Sequence, residues 1–127
     1  MHDATTPLGE LARALATFNA ERDWGRFHTP RDLAMALSVE GSELLELFLW
    51  KAGPDDLPAP ERLREELGDV LICLVNLSAR LDIDLMAAAA DKLVANARKY
   101  PVERARGNAK KWTELEKADG EDAAPAR

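Results

Sequence analysis

Apolar residues return at helical spacing along most of the chain. Leu8, Leu11, Leu15 and Phe18 fall at i, i+3, i+7 and i+10, which is one stripe of a helix. Thr6-Pro7 stands just ahead as an N-cap followed by proline at the first helical position, where a missing N–H does no harm. Thr29-Pro30 repeats the signal, with Asp32 three residues after the cap. The spacing predicts a second helix over residues 30–51, its buried side marked by Leu33, Leu37, Leu44 and Leu47. Gly53-Pro54-Asp55-Asp56 stops it, and Pro58-Ala59-Pro60 keeps the linker extended. A third helix is predicted over residues 61–81, with Leu63, Leu67, Val70, Leu74, Leu77 and Leu81 as its stripe. Within it, Leu71-Ile72-Cys73-Leu74-Val75 is apolar all round, as expected of a helix buried on more than one side and hence of a subunit interface. Asp84 reads as the cap of a fourth helix, residues 85–100, ended by Pro101.

No stretch alternates convincingly as a strand, so the expected class is all-α with four principal helices. Beyond Val102 the periodicity fails. Gly107 to Trp112 reads as a basic strap carrying Lys110 and Lys111, and residues 116–127, all Ala, Pro and charge at their end, read as a disordered tail after a domain of residues 1–115. At 127 residues, with 46% hydrophobic side chains, one globular domain is expected. The net charge of −6 argues against nucleic acid or an anionic membrane as partner. No apolar run reaches the ~18 residues of a membrane helix, residues 1–7 do not resemble a signal peptide, and the one cysteine, Cys73, fits a reducing compartment; a cytoplasmic protein is expected.

The charges inside the second and third helices change the picture. Glu40 and Glu43 are three apart, as are Glu66 and Asp69, with residues 44–65 between the pairs, enough for one helix to end and an antiparallel one to begin. Residues three apart share a helix face. Glu40 lies within the apolar stripe of its helix, Glu43 at its edge, and Glu46 further toward solvent; Glu66 and Asp69 border the next stripe with Cys73, while Glu65 points away. The positions four residues on from these acids are Leu44, Leu47, Val70 and Cys73, none of them a cation. A single Glu-x-x-Glu is normally a solvated face. Two such pairs on apolar flanks form a cage that calls for a divalent cation, and hard oxygen ligands favour Mg²⁺ or Mn²⁺. On pattern alone the two readings are level.

Lys92, Asn96 and Lys99 share one face of the fourth helix, either as a solvated basic end favoured by the helix dipole or as donors to phosphate oxygens. Trp24, Phe27 and His28 gather before the second helix, and Trp50 is expected on the carboxylate flank, where it could stack on a base. A di-iron bundle needs Glu-x-x-His, and neither His2 nor His28 is so placed.

Taken in order, these segments resemble the MazG-like all-α nucleotide pyrophosphohydrolases, in particular their dCTP pyrophosphatase branch. The resemblance runs over about residues 8–115. It is carried by Glu40, Glu43, Glu66 and Asp69, by Glu21-Arg22-Asp23-Trp24 with Phe27-His28-x-Pro30-Arg31, by Glu46-Leu47-Phe48-x-Trp50-Lys51, by Asn96-x-x-Lys99-Tyr100-Pro101, and by Lys111-x-Thr113-Glu114-Leu115. It implies Mg²⁺ on the four acids, a base and sugar pocket from Trp24, Phe27, His28 and Trp50, and substrate contacts from Asn96 and Lys99. It also implies α–β hydrolysis of a nucleoside triphosphate to a monophosphate and pyrophosphate in nucleotide-pool house-cleaning, and a homotetramer built as a dimer of dimers. Glu43 is the expected general base, and Cys73 and Lys92 complete the expected substrate contacts. Members of this branch can carry a tyrosine where Cys73 stands and a histidine where Leu15 stands. A dUTP or broad-specificity hydrolase on the same fold, or a non-catalytic helical oligomerisation module, are the alternatives.

Overall fold

A computed structural model describes residue 3 and residues 5–121, with side chains up to residue 117. It is all-α among the described residues. The chain divides into two compact units, Met1–Leu85 and Met86–Arg127. The first holds α1 (Pro7–Glu21), a 3₁₀ turn (Trp24–Arg26), α2 (Pro30–Glu46) and α3 (Pro60–Leu81). The second holds α4 (Leu85–Lys99, its first residue at the boundary), the one-turn α5 (Val102–Ala105) and α6 (Trp112–Glu121).

The starts of α1 and α2 follow from their caps. The Thr6 hydroxyl accepts from the Gly9 amide at 3.1 Å, and the Thr29 hydroxyl accepts from the Asp32 amide at 3.1 Å while donating to the Asp32 carboxylate at 2.6 Å. Each bond satisfies a backbone donor that a helix start leaves open. α2 packs mainly along α3, and α1 lies against α3. One residue from each helix makes the centre of this unit: Leu15, Leu33 and Val75 are all buried. At the turn between α1 and α2, Arg80 Nε of α3 donates to the His28 carbonyl at 2.9 Å, which holds the turn on the helix.

Several expectations are corrected. α2 ends at Glu46, about a turn before the expected Lys51. Leu47 to Trp50 continue as tight turns, with Phe48 and Leu49 amides donating to Leu45 and Glu46 carbonyls. The Asp56 carboxylate then captures the Ala52 amide at 2.9 Å and Lys51 Nζ at 3.4 Å, a local alternative to helical bonding. Trp50 thereby leaves the helix at φ 62°. On α3 the most buried residues are Val75 and Ser78, whereas Leu67, Leu71 and Leu81 of the apolar side are exposed within this chain. α6 runs from Trp112 to Glu121, and residues 122–127 of the expected tail lie outside the described residues.

Candidate active site and metal centre

Helical periodicity puts Ala36, Glu40 and Glu43 on one face of α2 and Glu66, Asp69, Cys73 and Asn76 on one face of α3. The packing of α2 on α3 turns these faces toward one another. Carboxylate oxygens of Glu40, Glu43 and Glu66 all lie within 4.8 Å of one another. Asp69 stands outside that trio but close enough for its charge to act on Glu40. Glu40 and Glu66 are half-buried and Glu43 is exposed.

Glu40 registers the crowding of negative charge. Burial, then a hydrogen bond with Glu43, then the charges of Glu43, Asp69 and Glu66 hold the Glu40 carboxyl above the usual carboxylate range. Glu66 Oε2 is buried and has no hydrogen-bond partner. Its other oxygen has a cation at the limit of reach, Arg62 Nη2 at 4.0 Å, while Arg62 Nε lies 3.8 Å from Glu65. Arg62 stands four residues back from Glu66, on the side opposite the i+4 positions, which hold no cation. Even so, three converging carboxylates with one orphaned buried oxygen fit a divalent cation, because hard oxygens left without protons or donors are its usual ligands. A cavity of about 450 Å³ opens beside them, lined by Glu43, Glu46, Leu47, Arg62 and Glu66.

One turn beyond Asp69, Cys73 joins the acids to a second cavity. Its thiol is pushed up by burial and by the charges of Glu40 and Asp69, so it stays protonated. That cavity, about 390 Å³, runs between α1, the 3₁₀ turn, α2 and α3. Leu15, Phe18, Trp24, Leu33 and Ile72 supply apolar walls, and Asn19, His28, Asp32, Cys73 and Asn76 supply polar groups. Phe18 and Trp24 meet edge-to-face at 5.6 Å, and Trp24 lies 6.3 Å from the His28 ring. Such a mostly apolar cavity with a few polar groups has the size and character of a small-molecule site.

Of the expected substrate residues, Trp24, His28 and Cys73 come together at this cavity. Phe27 is 63% exposed and Trp50 is 96% exposed, and neither lines it. Lys92, Asn96 and Lys99 are on α4 in the second unit, where the Lys99 ammonium lies 5.4 Å over the Trp112 ring. Phe18, Asn19 and Asn76 were not anticipated. The signal was present: Asn76 continues the Asp69–Cys73 face at i+7, and Asn19 follows Leu15 at i+4.

The MazG-like family profile matches residues 35–115, a span that includes all four acids. The chain belongs to the MazG-like family. Among relatives of this MazG-like chain, dCTP pyrophosphatase 1 of Mus musculus is 49% identical over 114 residues, covering 85% of this chain and 67% of the relative. The Homo sapiens dCTP pyrophosphatase 1 is 48% identical over 114 residues with the same coverage. In fold, the chain is similar to a crystal structure of a pyrophosphatase from Archaeoglobus fulgidus DSM 4304, with a TM-score of 0.70 and 34% identity over 80% of this chain and 98% of that one. The all-α class and the family expected from sequence are therefore both met. No helix among the described residues is long and apolar enough to cross a membrane.

Proposed function

We propose that this chain hydrolyses nucleoside triphosphates between the α and β phosphates, with dCTP as leading substrate, giving the monophosphate and pyrophosphate. One structural observation carries the reading: carboxylates on two facing helices converge beside an orphaned buried Glu66 oxygen, at one end of an α3 face whose other end lines an apolar cavity. The named activity of relatives at 48–49% identity supports it.

Glu40, Glu43, Glu66 and Asp69 would hold the cation, Mg²⁺ in our proposal with Mn²⁺ as substitute. When bound there, such an ion supplies charge neutralisation and Lewis-acid polarisation to the phosphates. The chain's own residues do the rest. Trp24 and Phe18 flank the base, and Glu43, exposed at the edge of the cluster, orients a water and takes its proton on a carboxylate oxygen. The water oxygen bonds to the α-phosphorus, the bond from that phosphorus to the bridging oxygen breaks, and pyrophosphate leaves. Phe27, Trp50, Lys92, Asn96 and Lys99 enter the proposal as further substrate contacts on the strength of the family resemblance.

A homotetramer, a dimer of dimers, belongs to the same proposal. Met35 and Val39 on α2 and Leu67 and Leu71 on α3 are each more than two-fifths exposed, and a second copy would remove them from water. Light scattering on the purified protein tests this. A cytoplasmic location completes the reading.

The test of function is pyrophosphate release with Mg²⁺ and with chelator across dCTP, its 5-substituted analogues, dUTP, dTTP, dATP and dGTP. Metal-dependent pyrophosphate with dCMP as co-product supports the proposal; no pyrophosphate from any of them refutes it. A broader or dUTP-directed preference is the second reading. It is favoured by Leu15 and Cys73, both in the cavity wall, where the resemblance expects histidine and tyrosine. A non-catalytic module would show no thermal shift with metal and nucleotide together.

A further inference from the structure

The cavity beneath Trp24 contains an amide pair that the proposed hydrolysis does not use. Asn19 of α1 donates from Nδ2 to Asn76 Oδ1 of α3 at 2.9 Å. Both residues are half-buried and both line the 390 Å³ cavity. That bond consumes one N–H of Asn19 and one lone pair of Asn76. It leaves over the Asn76 amide donors and the Asn19 carbonyl acceptor. Leu11, Leu15, Phe18, Leu33 and Ile72 offer no partner through their side chains, and the other polar side chains of the cavity are His28, Asp32 and Cys73. Reversing both amides preserves the mutual bond and exchanges the ends, so in either setting one residue keeps a free NH₂ and the other a free carbonyl oxygen, beside the second N–H and second lone pair of the bonded groups.

We infer that Asn19 and Asn76 read the hydrogen-bonding edge of the nucleotide base seated in this cavity, an inference that rests on the nucleotide-hydrolase reading of the same site. The edge it fits is a donor beside an acceptor, as in the exocyclic amine and ring nitrogen of cytosine. Position along α3 agrees. Asp69 and Asn76 share a face seven residues apart, about 10 Å at the helical rise, which is the order of separation between a nucleotide's α-phosphate and the far edge of its base. Apolar walls raise the value of such a pair, because water is excluded from the competing role and an unmatched ligand leaves both amides unsatisfied. A plain structural tie between α1 and α3 would also use the Asn19–Asn76 bond, so the test must separate the two.

The test is calorimetric binding, in Mg²⁺ buffer, of dCMP and of the 2,4-difluorotoluene deoxynucleoside monophosphate, which keeps a pyrimidine's shape without its hydrogen-bonding edge. The readout is the ratio of the two dissociation constants. Unaltered protein is expected to prefer dCMP by about tenfold or more. Asn19→Leu and Asn76→Leu are each expected to bring that ratio within about twofold of unity. Loss of packing between α1 and α3 weakens both ligands together and cancels in the ratio, so a structural tie leaves the preference intact. An undiminished ratio in both variants overturns the inference, and so does unaltered protein that shows no preference, a result that needs no variant to fold. Because neither ligand is a substrate, a failure to release pyrophosphate would count against the hydrolase reading alone.

Discussion

Removing one charge from the acid cluster should stabilise the metal-free protein and cost it the metal. The perturbation is Glu40→Gln, which keeps the side chain's size. Two unit charges at the 4.8 Å limit of this cluster repel by about 0.9 kcal/mol in water and by several times that in a less polar setting. Glu40 meets Glu43 and Glu66 in this way. Glu43 is exposed and screened, and Arg62 offsets part of the Glu66 charge at 4.0 Å. A net relief of about 1 kcal/mol follows, or a rise of about 3–5 °C in melting temperature for a chain of this size.

The sign with pH is defined by the same group. The Glu40 carboxyl is held above its usual range by burial and by its acidic neighbours. Its contribution to stability is therefore fully present below the unfolded-state value and is lost as pH rises through the folded-state value. The advantage of the glutamine variant should be largest near neutral pH, shrink on acidification and disappear below the ordinary carboxylate range. Saturating Mg²⁺ should reverse the order, since a ligand at a hundred times its dissociation constant stabilises by about 2.7 kcal/mol and the variant lacks one ligand. The assay is differential scanning calorimetry of both proteins, with chelator and with Mg²⁺, from acid to neutral pH. A variant less stable than the parent in chelator, or one that gains as much from Mg²⁺, would refute the reasoning.

Four further outcomes are expected. Glu43→Gln should abolish pyrophosphate release while the circular-dichroism spectrum stays helical; retained turnover would remove Glu43 from the role of base. The Mg²⁺ concentration giving half-maximal activity should rise as pH falls from neutral toward the ordinary carboxylate range, and begin to do so earlier than for an ordinary carboxylate, because protons and metal compete for a Glu40 carboxyl whose affinity for protons is raised; a flat titration would contradict this. Trp24→Ala should raise KM for dCTP about tenfold with a smaller change in kcat, as a stacking wall worth about 1–1.5 kcal/mol is lost, read from steady-state kinetics. Leu33→Ala, at a site 4% exposed, should lower unfolding free energy by about 2–5 kcal/mol in urea titrations; a loss under about 1 kcal/mol would mean that Leu33 is not central to the core.

Much of the fold was legible because its signals are local. Thr6-Pro7 and Thr29-Pro30 mark helix starts through bonds that span three residues, and both caps form as read. The end of α2 was not legible, since three-residue turns at Phe48 and Leu49 replace helical bonds there and Asp56 holds Ala52 and Lys51 in the linker beyond. Trp50 was misplaced for the same reason. The apolar run at Leu71 and Ile72 announced a buried segment, yet within one chain both are at least 36% exposed, Ile72 where it walls the cavity.

The candidate site divides along the same line. An i, i+3 spacing assigns Glu40 with Glu43, and Glu66 with Asp69, to single helix faces whatever else the chain does. It says nothing about which face looks at which. Only the packing of α2 on α3 brought Glu40, Glu43 and Glu66 within 4.8 Å while leaving Asp69 outside, and only tertiary contact joined Asn19 to Asn76 across 57 residues. Sequence alone thus determined the helices, their faces and the kind of chemistry those faces carry. The meeting of those faces was decided by burial of Leu15, Leu33 and Val75 in one shared centre, an energy that no helix can realise by itself.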